Sequence, residues 1–439
     1  MSDARHAVAV IGAGPAGLYA AKKLDKFGCE VVILNRDIRP GGLAEYGIFH
    51  DKYKMKSGLR KMFARILDSE QVHYRGNVTV GVDGDLSLDD ITDAGFDAVL
   101  VAVGAQGIKW LNVDGSEGKN IYDAKQVVYH YNGLPPYSQR NVNLGQRLVI
   151  IGAGNVAVDI THWAVQAHIP EITWLVRRGP GQVKYTKKEI GYVGGHIDLR
   201  ALRAEFERLE DQLDAIGQSV DEAYNAMVSQ FGDTRVGDSP SVIKMRFACQ
   251  AKHIDQHSDG RISGILVAEN QLSLEGETVR CTATDAEAYL NTESLVFCVG
   301  DAVDNEFGLA LNRWGHYAMA DDLTDGPNYA LKNREGWFAA GWARVASDGL
   351  VGKARRDAET GCDQILKYLA LKPATGSGAA LSAIDKKLTQ AGVQSVDWPH
   401  FGRIREKECL VAEARGLDDY RLTSNEALLA AAGLAADSS

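Results

Sequence analysis

Two short glycine strings and one pair of arginines carry most of the chemistry that residue types and spacing allow here. Gly12-Ala13-Gly14-Pro15-Ala16-Gly17 follows the apolar run Ala7–Ile11 and opens a helix-like stretch. In that setting Gly12 permits a tight turn and Gly14 lets backbone amides approach a pyrophosphate. Gly17 lets helix and strand pack closely, with the helix N-terminus facing the phosphate charge. Gly152-Ala153-Gly154-Asn155-Val156-Ala157 repeats the arrangement about 140 residues later.

The two strings differ in what ends the strand that follows them. The first such strand, Glu30–Leu34, runs into Asn35, where an acidic residue would take ribose hydroxyls. An amide can accept from and donate to hydroxyls in its place, with Asp37 as the second choice. The other strand ends in Arg177-Arg178. Guanidiniums grip a 2′-phosphate bidentately, whereas a carboxylate would repel it, so NADP is favoured over NAD. Two such units without a separate substrate-binding fold point to two nucleotides, FAD and NADP.

The elements that must position these residues alternate apolar β-like runs with helix-like stretches, the pattern of parallel α/β sheets. Strands are expected at Ala7–Ile11, Glu30–Leu34, Asp97–Val103, Arg147–Ile151, Ile172–Val176, Ser294–Gly300 and Trp337–Gly341, and helices at Pro15–Phe27 and Asn155–Val165. A charged stretch from Arg203 to Phe231, apolar at Phe206, Leu209, Leu213 and Ile216, reads as an acid-rich, solvated helical insert. Residues 372–380 read as a surface loop and the last ~20 as a fraying end.

Composition bounds the rest. A chain of 439 residues exceeds one hydrophobic core, so two or three domains are expected. Forty-six glycines against ten prolines fit many tight turns rather than a linker. No run of ~18 apolar residues is long enough for membrane insertion, and Ala7–Ile11 reads as a buried strand rather than a signal peptide. The net charge of −10 argues against nucleic-acid binding. The six scattered cysteines form no C-x-x-C, which removes a redox dithiol, a zinc knuckle and cysteine-held iron–sulfur clusters; no metal is expected, and reduced thiols fit a cytoplasmic location.

Beyond the two glycine strings, further segments match a known family. These are Gly41-Gly42-Leu43 with Tyr46-Gly47, Gly76-Asn77-Val78, Tyr131-Asn132-Gly133-Leu134-Pro135, Arg177-Arg178-Gly179-Pro180 with Gln182, Thr186 with Lys188-Glu189, and Gly341-Trp342 with Gly349. On these the chain resembles adrenodoxin reductase and the bacterial ferredoxin–NADP reductases similar to it. The resemblance implies an α/β fold of two Rossmann-type three-layer nucleotide-binding domains, glutathione reductase-like. The FAD domain is discontinuous (1–108 and 332–439), and residues 109–331 bind NADP. It implies that FAD is held near Gly12, Gly14, Ala16, Gly17, Asn35, Gly42, Leu43, Val80, Trp342, Gly349, Leu350 and Val351. It places NADP near Gly152, Gly154, Asn155, Val156, Ala157, Arg177, Arg178 and Glu189.

Three departures stand out. The family's histidine after an aspartate near the flavin is replaced by Lys52 in Asp51-Lys52, with His50 read as an unrelated exposed histidine. A basic residue has become Glu45, and the Arg-Gly-Pro after Gly-Trp has become Val345-Ala346-Ser347. Glu189, as orienter of the carboxamide or proton relay, and Lys52 are the candidate catalytic positions.

The activity implied is hydride transfer from NADPH to flavin and onward electron transfer to a ferredoxin. Two alternatives stay open: an NADPH-dependent flavin reductase of a small organic substrate or within a larger redox complex, and a non-catalytic FAD-binding redox sensor. The six basic residues Lys52, Lys54, Lys56, Arg60, Lys61 and Arg65, with no acid among them, are expected to form a docking face for an acidic ferredoxin or flavodoxin.

Overall fold

A computed structural model describes residues 5–320, 328–346, 349–375 and 378–434. The chain divides into two compact units: Met1–Lys109 with Asn132–Gln139 and Gly300–Ser439, and Trp110–Tyr131 with Arg140–Val299.

In the first unit five strands form one parallel sheet in the order Trp337–Ala339, Ala98–Val101, Ala7–Ile11, Glu30–Asn35, Val72–Gly76. Val8 pairs with Val31 on one side and with Ala98 on the other. All but the edge strand Val72–Gly76, where His73 and Arg75 are partly exposed, read as nearly unbroken apolar runs because both faces are covered. Val8, Val10, Val31 and Ile33 join the core that packs the helices Pro15–Lys26 and Val351–Leu369, while Ala9, Ile11, Val32 and Leu34 bury against Leu86, Ile91, Tyr317 and Ile384. Residues 300–331 belong to this unit, not to the second as the expected boundary at 332 had it. The reason is burial: Val303, Phe307, Leu309, Tyr317 and Leu331 fill the second of those cores.

The second unit repeats the plan with a parallel sheet ordered Ile121–Asp123, Ser294–Phe297, Arg147–Ile151, Glu171–Leu175, Val242–Arg246. An antiparallel sheet of Cys249–Gln256, Ile262–Glu275 and Thr278–Asn291 is added to it. The expected insert at 203–231 is three helices, Leu199–Arg208, Glu210–Ala215 and Val220–Val228, and Phe206, Leu209 and Leu213 are fully buried. It is therefore a packed layer rather than a solvated appendage.

Two further expectations change. Of the 372–380 loop, residues 376–377 lie outside the described residues and a helix begins at Ala379. The C-terminal stretch does not fray through its last twenty residues: the helix Asn425–Ala432 packs Leu428 and Ala432 against Ile38, Val396, Phe401 and Ile404, and only residues 435–439 lie outside the described residues. Among the described residues no helix is long and apolar enough to cross a membrane.

Candidate cofactor sites

In the first unit the loop between Ile11 and Pro15 is closed by backbone bonds. Gly12 N–H donates to Leu34 O at 2.7 Å, and Ala102 N–H donates to Ile11 O at 2.8 Å. Glycine is required at the turn and again in the first turn of the helix. At Gly12 (φ +107) a Cβ would stand 2.6 Å from Ala102 O, and at Gly17 it would stand 1.9 Å from Gly12 O. Above Gly14 there is nothing within 4 Å, so open space lies over the amides that start the helix. The strand, the glycine turn and the helix start thus leave an open space over Gly14.

Two distant turns close on this cradle. Gly41 N–H donates to Ala13 O at 2.8 Å, and a Cβ on Gly42 would stand 2.9 Å from Gly14 Cα. Leu43 starts the short helix that follows, and it is partly exposed. Gly341 (φ +67) approaches from the other side, where a Cβ would lie 2.6 Å from the methyl of Ala16. Trp342 sits in that turn, half-buried. Asp357, which sequence reasoning missed, fixes it: its carboxylate accepts from Gly341 N–H at 2.6 Å and from Tyr329 Oη at 3.0 Å, and it pairs with Arg344. No local signal marks it, because it stands mid-helix and its partners are 13 to 28 residues away. Gly349 (φ +79) and the exposed Leu350 lead into the 19-residue helix that begins at Val351. Val80 lies buried in the sheet's outer core. Of the replaced Val345-Ala346-Ser347 segment, Ser347 lies outside the described residues.

Asn35 is buried and its amide is already engaged. Oδ1 accepts from Ala13 N–H at 2.8 Å, while Nδ2 donates to Asp37 O at 2.7 Å and to Tyr74 Oη at 3.2 Å. The amide ties the end of the second strand to the glycine loop.

The Glu45 departure has a structural answer. Glu45 is buried, and Arg60 grips it through two bonds of 2.9 Å while Arg421 holds it at 2.6 Å. Asp419 closes the ring with Arg60 at 3.0 Å and Arg421 at 3.2 Å. A bidentate guanidinium supplies the charge that desolvation would otherwise leave uncompensated.

This revises the basic face on the helix Tyr53–Leu67. Arg60 is consumed by that ring, and Lys56 is buried with Nζ donating to Asn132 Oδ1 at 2.6 Å. Burial, partly offset by the Glu45 carboxylate, lowers the Lys56 ammonium to about 8. Lys52 immediately precedes the helix and is half-buried. Lys54, Lys61 and Arg65 remain exposed, spaced along one stripe. His50 is half-buried and packs its ring against Phe49 at 4.5 Å, rather than standing exposed.

In the second unit, Gly152 (φ +128) allows no side chain, since a Cβ would stand 2.3 Å from Cys298 O, whereas Gly154 again has nothing within 4 Å. Ala157 is fully buried and Val156 exposed. The strand 171–175 is followed by Arg177 and Arg178, both exposed. Their backbone carbonyls accept from Asn270 Nδ2 at 2.9 Å and Ala248 N–H at 3.0 Å, so the turn is held while neither guanidinium pairs with a carboxylate among the described residues. The chain then folds back over the glycine loop. Lys184 N–H donates to Ala153 O at 2.7 Å, and Thr186 N–H donates to Asn155 Oδ1 at 2.9 Å. Thr186 Oγ1 in turn accepts from Glu189 N–H at 3.4 Å, which places a partly buried Glu189 three residues from that stitch.

Comparison with known proteins agrees with this architecture. The pyridine nucleotide-disulphide oxidoreductase family model matches residues 6–193. The mitochondrial NADPH:adrenodoxin oxidoreductase of Salvelinus fontinalis is 25% identical over 462 residues, covering 93% of this chain and 87% of its own. NADPH-ferredoxin reductase FprA of Mycobacterium leprae is 25% identical, with 83% and 84% covered. The solved structure of Mycobacterium tuberculosis FprA in complex with NADPH superposes with a TM-score of 0.80 at 22% identity over 98% of this chain and 99% of that one. Along most of its length the chain is similar to the adrenodoxin reductase-like ferredoxin–NADP reductases.

Proposed function

We propose that this protein takes electrons from NADPH onto FAD and delivers them to a ferredoxin-type protein. The observation that carries the reading is the pair of cradles, each open over its middle glycine, with strand ends of opposite character. FAD and NADP(H) fit those cradles. When bound, the two groups convert one hydride into electrons that an acceptor can take singly.

The chain's own residues do the positioning. Gly12–Gly17, with Gly42 and Gly341 pressed against it, would seat the FAD pyrophosphate, and Leu43, Val80 and Trp342 would supply apolar walls. Gly349, Leu350 and Val351 would present helix N–H groups to an electron-rich edge. Gly152–Ala157 would seat NADP, and Arg177 and Arg178, free of competing carboxylates among the described residues, would take its 2′-phosphate. Glu189, fixed by Thr186, would orient the carboxamide or hold a proton on Oε. Lys52 would keep a donor where the family has histidine. An acidic ferredoxin or flavodoxin suits the exposed stripe Lys54, Lys61 and Arg65, and the six free thiols suit a cytoplasmic location.

The test is an assay of the purified protein with NADPH and NADH, using a [2Fe–2S] ferredoxin and an uncharged quinone as separate acceptors. The expected result is a yellow protein carrying non-covalent FAD, oxidising NADPH in preference to NADH and reducing the ferredoxin. A colourless protein that takes up no FAD on soaking would sink the proposal.

A further inference from the structure

Beside the stripe of exposed cations lies a pocket of about 240 Å³, walled by the helices Tyr53–Leu67 and Trp398–Arg415 and by Arg39 and Pro40. Its floor is apolar. Phe63 and Leu67 are buried there, and Trp398 stacks on Phe401 with ring centroids 5.4 Å apart and planes 23° from parallel. The floor is also rigid. Arg39 lies 5.5 Å over the Phe401 ring and is locked to the buried Glu408, Leu422 N–H donates to the same carboxylate at 2.9 Å, and Trp398 Nε1 donates to Asp68 at 2.7 Å. The rim is cationic. Arg60 and Arg405 have carboxylate partners in Glu45 and Glu408, but Lys61 has no ion pair among the described residues.

Position and size decide the occupant. At 3.6 residues per turn, Ser57, Lys61 and Ala64 line the pocket on the helix flank next to the stripe Lys54, Lys61, Arg65, so Lys61 belongs to both. The volume is below the ~300 Å³ at which small-molecule sites begin, yet ample for one large apolar side chain. Protein interfaces concentrate their energy in such a preformed apolar pocket ringed by charge. The pocket also touches Arg39, Pro40 and Glu45, which bracket the Gly41–Gly42 turn lying against Gly14. We infer that this pocket is the anchor site for the acidic protein acceptor. It takes one aromatic or large aliphatic side chain of that partner, while carboxylates flanking the side chain meet Lys61, Lys54 and Arg65. The inference rests on the proposed function and names where the acceptor is held.

Two variants separate apolar anchoring from charge. Ala64→Tyr fills the pocket, and Lys61→Glu reverses the charge on its rim. Reduction of an acidic [2Fe–2S] ferredoxin and of an uncharged quinone by NADPH is measured for both across a salt series. Ala64→Tyr is expected to raise KM for the ferredoxin roughly ten-fold or more with little change in salt dependence. Lys61→Glu is expected to raise KM at low salt and flatten the salt dependence. Quinone reduction and FAD content stay at wild-type values in both and report an intact fold. Ferredoxin reduction by Ala64→Tyr with unchanged KM overturns the inference alone, as does a Lys61→Glu variant with wild-type salt dependence. Should Ala64→Tyr lose FAD, Ser57→Leu, which narrows the same pocket by a smaller step, is measured in its place with the same rise in KM expected and an unchanged KM again overturning the inference. A wild type that reduces the quinone but no ferredoxin overturns the acceptor assignment and the docking site together.

Discussion

The two glycine cradles begin alike and end differently. In both, the first glycine has a large positive φ and sits against a carbonyl oxygen of the neighbouring strand's end, Ala102 in one and Cys298 in the other. In both, the middle glycine is open. At the third position the first unit has Gly17, where even a methyl would stand 1.9 Å from a carbonyl oxygen, and the second has Ala157, whose methyl is accommodated in the core. The strand ends diverge further: Asn35 is buried with its amide spent on the protein, whereas Arg177 and Arg178 face solvent. One strand end is therefore tied down by the chain itself, and the other presents its charges to solvent.

The largest effect should appear where the close packing at Gly17 is attacked. Gly17→Ala cannot be relieved by a rotamer change, because the clash is with backbone, and it is expected to cost at least about 3 kcal/mol and to lower FAD retention. The mirror change, Ala157→Gly, removes a methyl that already fits and should cost only about 1 kcal/mol of helix propensity with a small packing loss. Thermal melts and FAD content for the two variants measure the asymmetry. Equal losses would mean that the cradles are built to the same tolerance.

Next in size is the arginine pair. If Arg177 holds the 2′-phosphate as proposed, Arg177→Ala removes charge-assisted bonds of on the order of 1.5–3 kcal/mol, so kcat/KM for NADPH should fall ten-fold or more while that for NADH holds. A variant that keeps the NADPH preference would move the 2′-phosphate elsewhere.

Much of this was legible in sequence because parallel strands buried on both faces leave unbroken apolar runs. Ala7–Ile11 and Arg147–Ile151 were read to the residue, and Glu30–Asn35 to within one. The antiparallel sheet was missed: Thr278–Asn291 is largely exposed, and its alternation Val279, Cys281, Ala283 changes phase to Ala286, Ala288, Leu290 across an irregularity in the pairing, so no single period runs through it. The helical layer at 199–228 reads as solvated because its acidic residues outweigh an apolar face, Phe206, Leu209, Leu213 and Ile216, that is visible in sequence and buried in the fold. Within the cradles, identity was legible and use was not. Nothing at Asn35 reveals that Ala13 and Asp37 consume its amide, nor does the run from Lys52 to Arg65 reveal that Lys56 and Arg60 turn inward. Tertiary partners hundreds of residues away, Asp419 and Arg421 above all, decide which charges of a local run remain available.

The finest test of the contrast is Asn35→Asp, which installs the acid that the position would carry if it served a ribose. The variant carboxylate keeps the acceptor for Ala13 N–H but loses the donor that meets Asp37 O at 2.7 Å. Tyr74 Oη cannot make good the loss, because it already lies 3.2 Å from Asp37 O and 3.1 Å from Ile38 O and has one proton to give. A buried carbonyl left facing a carboxylate should cost on the order of 1–2 kcal/mol at pH 8 without tightening FAD. Burial and the neighbouring carbonyl both raise the folded-state pKa of the new carboxyl above its unfolded value of about 3.9. The unfolded state then releases its proton first, so the variant loses stability as pH rises through that window and recovers it as pH falls. Protonated, the carboxyl donates to Asp37 O as the amide does, and the gap to wild type should close. Urea melts at pH 5 and pH 8 are the measurement, with a smaller difference expected at pH 5. A variant that is stable at both values and binds FAD more tightly would mean that the amide is held in reserve for the nucleotide rather than spent on the loop.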